Sequence, residues 1–148
     1  MKRISAMTQL ELGAFICSHL NGKAIEVVLS GGASVSLYSD NKYISKDLDL
    51  IDVYSISRRK LKAVMEEIGF LEDNRYFRHP GSKYIVEFPP GPLTVGDEPV
   101  KETQEIKFST GSLVVISPTD CVKDRLAAYY HWGDRQSLEQ AILVAGNN

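Results

Sequence analysis

No apolar run in this chain is long enough to span a bilayer, and Met1-Lys2-Arg3-Ile4-Ser5 is not followed by the hydrophobic stretch of a signal peptide. Both absences point to a soluble, cytoplasmic protein without a membrane partner. Cysteine is scarce. Cys17 and Cys121 have no Cys-x-x-Cys spacing, so free, buried thiols are expected and a disulfide framework is not. The three histidines, His19, His79 and His131, show no ligand spacing to one another. Charge of one sign is also lacking. A net charge of −2 excludes a global basic field for nucleic acid. The small basic run Arg58-Arg59-Lys60 reads as the solvated first turn of a helix. There is no internal repeat or low-complexity tract, and 148 residues suit a single domain over the whole chain, 1–148.

The elements follow from periodicity and punctuation. Thr8-Gln9-Leu10-Glu11 has the capping-box pattern, with Leu12, Phe15, Ile16 and Leu20 at helical spacing and Asn21-Gly22 as the stop. Ile25 to Leu29 reads as a buried strand, Ser30-Gly31-Gly32 as a turn, Ala33 to Leu37 as a short helix and Leu48 to Tyr54 as a second strand. Ser57 caps a helix with Leu61, Val64, Met65 and Ile68 inside and Gly69 at its end. Tyr76 to Arg78, Tyr84 to Phe88, Gln104 to Phe108 and Leu113 to Ile116 read as strands. Pro89 to Pro99 holds four of the six prolines and reads as a loop. Ser117-Pro118 opens a helix with Val122, Leu126 and Tyr129 on one face, and Gly133-Asp134 breaks it. Leu138, Ala141 and Ile142 mark a last helix. The cluster Tyr129-Tyr130-His131-Trp132 reads as packing between these helices. The fold class is α+β, or mixed α/β: a mixed sheet flanked by helices, with a two-helix C-terminal part.

Two features do not serve folding. Asp47 and Asp49 lie in the apolar run Asp47-Leu48-Asp49-Leu50, two residues apart, so a strand presents them on one face with Cα atoms about 6.6–6.8 Å apart. Two neighbouring acids repel each other unless a cation intervenes. Carboxylate oxygens are the hard donors that magnesium takes along with phosphate oxygens, and two-metal phosphoryl transfer places its ions about 3.5–4 Å apart. Glu87, an acid at the end of the run Tyr84-Ile85-Val86-Glu87, is the candidate third ligand; the alternative is an exposed strand-end acid. Asp52 is the runner-up for this third acid, although it falls on the opposite face from Asp47 and Asp49 by parity. The glycine pair Gly31-Gly32 sits where a strand gives way to a helix, where backbone approaches a ligand and helix amides favour phosphate. Ser30 and Ser34 are candidate hydroxyl donors beside it.

Leu29-Ser30-Gly31-Gly32 followed by Asp47-Leu48-Asp49-Leu50 resembles the signature of the DNA polymerase β-type nucleotidyltransferase superfamily. The form with Ser45-x-Asp47-Leu48-Asp49-Leu50 is similar to its AbiEii-like branch, which includes toxins of abortive-infection and toxin–antitoxin systems. Ser117-Pro118-Thr119-Asp120-Cys121-Val122-Lys123-Asp124-Arg125-Leu126-Ala127 resembles that branch's later helix, with Arg125 where the family usually has lysine. Where the family often shows Arg-x-x-Lys-Asp, this chain has Asp134-Arg135-Gln136-Ser137-Leu138-Glu139.

The resemblance implies a nucleotidyltransferase that uses a nucleoside triphosphate with Mg²⁺ (or Mn²⁺). Asp47, Asp49 and Glu87 would hold metal and carry catalysis. Ser30, Gly31, Gly32, Ser34, Lys123 and Arg125 would bind the nucleotide. The acceptor would be a hydroxyl of an RNA such as tRNA, of a protein or of a small molecule. A catalytically degenerate nucleotide-binding protein, or a regulator paired with a cognate antitoxin, is the alternative; a metal-stabilised structural domain is a third.

Overall fold

The computed structural model describes residues 2–148; Met1, the first residue of the N-terminal segment, lies outside the described residues. A short 3-10 turn at Ile4–Ala6 precedes helix α1, Gln9–Asn21. The capping box is formed: the Glu11 amide donates to Thr8 Oγ1 at 3.2 Å and the Thr8 amide to Glu11 Oε1 at 2.9 Å. Lys2 at 2.8 Å and these bonds hold the Glu11 carboxyl down to about 2. Thr8→Ala should lower stability by about 1 kcal/mol, read as a lower urea midpoint at unchanged slope.

Strand β1 (Val27–Ser30) is buried throughout and runs into helix α2 (Gly31–Tyr38) without a loop. The chain then turns through Asp40 and Asn41, both at positive φ, and returns as β2 (Asp47–Asp52), antiparallel to β1. Helix α3 (Arg58–Glu66) is capped by Ser57, whose hydroxyl accepts from the Lys60 amide. Strands β3 (Leu71–Asp73), β4 (Tyr76–Arg78) and β5 (Ile85–Glu87) follow, then a two-stranded ribbon of β6 (Thr94–Val95) and β7 (Glu98–Pro99). The last sheet strands are β8 (Thr103–Phe108) and β9 (Gly111–Ile116). Two helices close the chain, α4 (Pro118–Trp132) and α5 (Arg135–Asn147), separated at Gly133 by a left-handed turn of φ +66°.

Seven strands form one mixed sheet in the order β3-β4-β5-β2-β1-β9-β8, with β1–β9 and β2–β5 parallel. Alternation along β2 buries Leu48 and Leu50, and α1 lies over this face, with Gly13 against Leu48 and Leu113. Asp47 and Asp49 therefore emerge on the other face. His19 ties α1 to α3, its Nε2 lying 3.0 Å from the Val64 carbonyl and 3.3 Å from Glu67. Tyr38 ends α2 with its hydroxyl donating to the Ile116 carbonyl at 2.7 Å, and burial pushes that phenol up to about 12. Cys17 and Cys121 are buried and free. None of the helices among the described residues is long and apolar enough to cross a membrane.

Two expectations are corrected. Pro89 to Pro99 is not all loop, since the β6–β7 ribbon forms within it around Gly96. Most of the aromatic cluster of α4 does not pack between helices: Tyr130 is 77% and Trp132 84% exposed, His131 is exposed as well, and only Tyr129 is half-buried. The last helix forms as expected, with Ile142 facing outward at 62% exposure and Ser137, Gln140, Ala141 and Val144 on its inner face.

Candidate active site

Three strand ends meet where the glycine pair, the two aspartates and Glu87 were expected to serve one site. Ser30 is the register partner of Asp49, and Asp49 is the register partner of Glu87. Two residues earlier on the same face, Asp47 lies opposite Ile85. The entrance of β2 is pinned from behind by Gln9, whose Nε2 donates to the Ser45 carbonyl at 2.8 Å and the Asp47 carbonyl at 3.0 Å. Ser45 Oγ accepts the Asp47 amide at 3.1 Å. These bonds set the direction in which Asp47 leaves the strand.

Asp49 carries the strongest electrostatic signature of the site. Burial, followed by the negative charges of Glu87 and Asp47, pushes its carboxyl from the usual 3.8 up to about 6. Arg125 opposes this rise, and Asp124 adds to it. Burial and crowding by like charge make this carboxyl keep its proton to a higher pH than an ordinary aspartate. The donor set, two aspartates and a glutamate with oxygen atoms only, fits a hard divalent cation. Among the described residues no three acidic, histidine or cysteine side chains already close on one point. Glu87 is instead turned towards β4, with Arg75 Nε at 3.3 Å from its Oε1.

Gly31 packs directly against the Asp49 carboxylate. Its φ of +65° is left-handed, and a Cβ there would strike Asp49 Oδ2 and lie 3.1 Å from Cγ. Only glycine lets the backbone turn into α2 while the carboxylate lies flat against it. Gly32 is similarly closed in, with Ser45 Oγ 3.0 Å from where its Cβ would be. Ser30 occupies the N-cap of α2, but its side chain claims none of the helix amides; its hydroxyl makes only a long 3.5 Å bond to the Asp49 carbonyl. The first-turn amides of α2 thus face the acids without a side-chain partner from the cap.

Ser34 is placed differently from the expectation of a phosphate donor. It is fully buried, donating to the Gly31 carbonyl at 2.6 Å and lying 3.3 Å from Cys121 Sγ. Its role is to brace the glycine turn against α4. Burial raises the Cys121 thiol to about 11, which leaves it inert.

The two basic candidates on α4 part company, because residues two apart on a helix do not share a face. Arg125 lies on the site side. Its Nε and Nη2 donate to Asp124 Oδ2, its Nη1 donates to Gln140 Oε1 at 3.3 Å, and its charge is felt by Asp49. Lys123 points away, 3.5 Å from Glu98 of the β6–β7 ribbon. Asp124 and Gln140 are contributors that sequence reasoning missed. The acid next to Arg125 was a visible signal; the glutamine, fifteen residues on, was not. Asp134 and Ser137 cap α5: Ser137 Oγ donates to Asp134 Oδ2 at 2.8 Å and the Gln136 amide to Oδ1 at 3.0 Å. That bonding lowers the Asp134 carboxyl.

The mixed sheet flanked by helices is a nucleotidyltransferase-like fold, shared with solved structures. The chain is similar to an antigenic nucleotidyltransferase-like protein from Paracoccidioides brasiliensis, at 15% identity and a TM-score of 0.65, over 93% of this chain and 74% of that one. It is similar to ANT(2'')-Ia, solved in complex with adenylyl-2''-tobramycin, at 13% identity and a TM-score of 0.58, over 94% and 89% of the two chains. The lincosamide antibiotic adenylyltransferase LnuA, solved with lincomycin bound, matches at 14% identity and a TM-score of 0.57, over 93% and 98%. No described protein family matches the chain, and no curated protein does.

Proposed function

We propose that this protein is a nucleotidyltransferase that moves a nucleoside monophosphate from a triphosphate to an acceptor hydroxyl. The observation that carries the reading is Asp49: a half-buried carboxylate laid against a left-handed glycine and crowded by Asp47 and Glu87. Keeping that charge in place costs stability, and a cation-dependent reaction explains why it is kept.

Asp47, Asp49 and Glu87 would hold Mg²⁺, or Mn²⁺ in its place. Such an ion, when bound, neutralises phosphate charge and polarises the α-phosphorus. Gly31, Gly32 and the amides of α2 cradle the triphosphate, with Ser30 at their edge. Arg125 offsets the charge that builds on the leaving pyrophosphate. The acceptor oxygen bonds to the α-phosphorus as the bond to the bridging oxygen breaks. Pyrophosphate departs, and the hydroxyl proton passes to Glu87. An RNA such as tRNA, a protein or a small molecule can carry such a hydroxyl.

The test is transfer of label from a panel of α-labelled triphosphates in Mg²⁺, with pyrophosphate release. Asp47→Ala is expected to bring both to background with the fold intact by circular dichroism. Failure of the wild-type protein to bind Mg²⁺ or any triphosphate would overturn the reading.

One observation favours a second reading, nucleotide binding without turnover. Arg125 is held by Asp124 and Gln140, and Asp134 and Ser137 are spent as a helix cap. A regulator within a toxin–antitoxin pair belongs to this reading. It predicts triphosphate binding with no pyrophosphate release from any acceptor.

A further inference from the structure

We propose that Arg75 selects the acceptor, and that the acceptor it selects bears a phosphate. The inference rests on the nucleotidyl-transfer reading above. Along the strands β1-β2-β5-β4, one row of register partners runs Ser30, Asp49, Glu87, Tyr76. The triphosphate belongs at the Ser30 end, against Gly31 and α2. In-line displacement sets the attacking oxygen opposite the leaving one. The acceptor therefore arrives across Glu87, from the β4 side.

What stands on that side is Arg75. Its side chain is 72% exposed, with Nε 3.3 Å from Glu87 Oε1. Nη2 donates to the Tyr76 hydroxyl at 2.7 Å, and the guanidinium lies 5.0 Å from the Tyr76 ring centroid. Among the described residues, Glu87 is the acid it pairs with. The next acid in the row, Asp73 opposite Tyr76, is already bound by Arg78 at 2.9 Å. A cation that takes Glu87 leaves Arg75 exposed beside the Tyr76 phenol, about one strand spacing from the reacting hydroxyl. A guanidinium there repels a cationic acceptor and offers a planar fork that matches phosphate oxygens. Phosphate groups of a sugar phosphate and of an oligonucleotide end share this chemistry.

The experiment measures equilibrium binding of ribose 5-phosphate, and of a short oligoribonucleotide with and without a terminal phosphate, to the wild-type protein, Arg75→Ala and Arg75→Lys. Each is measured with and without Mg²⁺ and without nucleotide; triphosphate binding is measured in parallel. In the wild type, Mg²⁺ is expected to tighten binding of the phosphate-bearing probes over ribose or the dephosphorylated strand. Arg75→Ala should lose that gain by about 10–100-fold, and Arg75→Lys should retain part of it. Triphosphate affinity should be equal in all three proteins. The arm with the larger gain tells a sugar phosphate from a strand end. Equal binding of ribose and ribose 5-phosphate, preferential binding of the polyamine tobramycin, or a phosphate gain that survives Arg75→Ala overturns the inference. Loss of triphosphate binding in the wild type overturns the broader reading instead.

Discussion

Asp49→Asn is expected to make the metal-free protein more stable while reducing label transfer to background. In the folded state the Asp49 carboxyl titrates at about 6, against 3.8 when unperturbed. The sign follows from linkage. Above pH 6 both folded and unfolded chains carry the charge, and the folded one bears its full cost, about 3 kcal/mol from a shift of this size. As the pH falls through about 6 the folded state takes up a proton that the unfolded state does not bind until near 4. This group's contribution to stability therefore rises between about pH 6 and pH 4 and is flat below. Asparagine keeps the shape and has no charge to bury. The variant's melting temperature should exceed the wild type's by several degrees at about pH 7, and the gap should close towards pH 4. Saturating Mg²⁺ should raise the wild type and leave the variant nearly unchanged, because binding to the folded state alone stabilises by mass action. A variant less stable than wild type at neutral pH would mean that Asp49 is already neutralised and is not waiting for a cation.

That trade between stability and chemistry marks what sequence could show. The aspartate pair was legible because an acid repeated at strand period in an apolar run conflicts with packing, and such conflicts point to sites. The capping box at Thr8, the Ser57 and Ser117 caps and the Gly133 stop were legible because each is a local hydrogen-bond requirement. Strand β3 was not, since all three of its residues are exposed and no alternation exists to read. The β6–β7 ribbon was hidden among prolines. Strand order was also out of reach. Nothing local says that β5 lies beside β2, so Glu87 could be named as a third acid while its position opposite Asp49 stayed open until the sheet was seen. Arg75 and Gln140 belong to the same class, because their parts depend on which strand or helix lies next to them. The exposed Trp132 shows the converse error: an aromatic at the end of α4 was read as packing between helices, and it stands 84% exposed.

Gly31→Ala is the second large effect, and it tests whether the glycine turn and the acids form one unit. Two separate costs fall on this position. An L-residue held at φ +65° loses about 1–2 kcal/mol on backbone grounds alone. The new Cβ also meets the Asp49 carboxylate, with Cγ at 3.1 Å and Cβ at 3.3 Å, so the side chain has to swing away from Asp47 and Glu87. Expected results are a clear drop in melting temperature and loss of both triphosphate binding and label transfer. Gly146→Ala is the matched control: it lies in α5 with open space around it, and should be neutral or slightly stabilising. The clash and the backbone cost separate in a double variant. Asp49→Ala removes the group that Cβ strikes, so Gly31→Ala should cost less in that background than in the wild type, by the share due to the carboxylate. Equal costs in the two backgrounds would show that Gly31 serves the turn alone. A smaller cost beside alanine would tie the first motif of this chain to the second through one van der Waals contact.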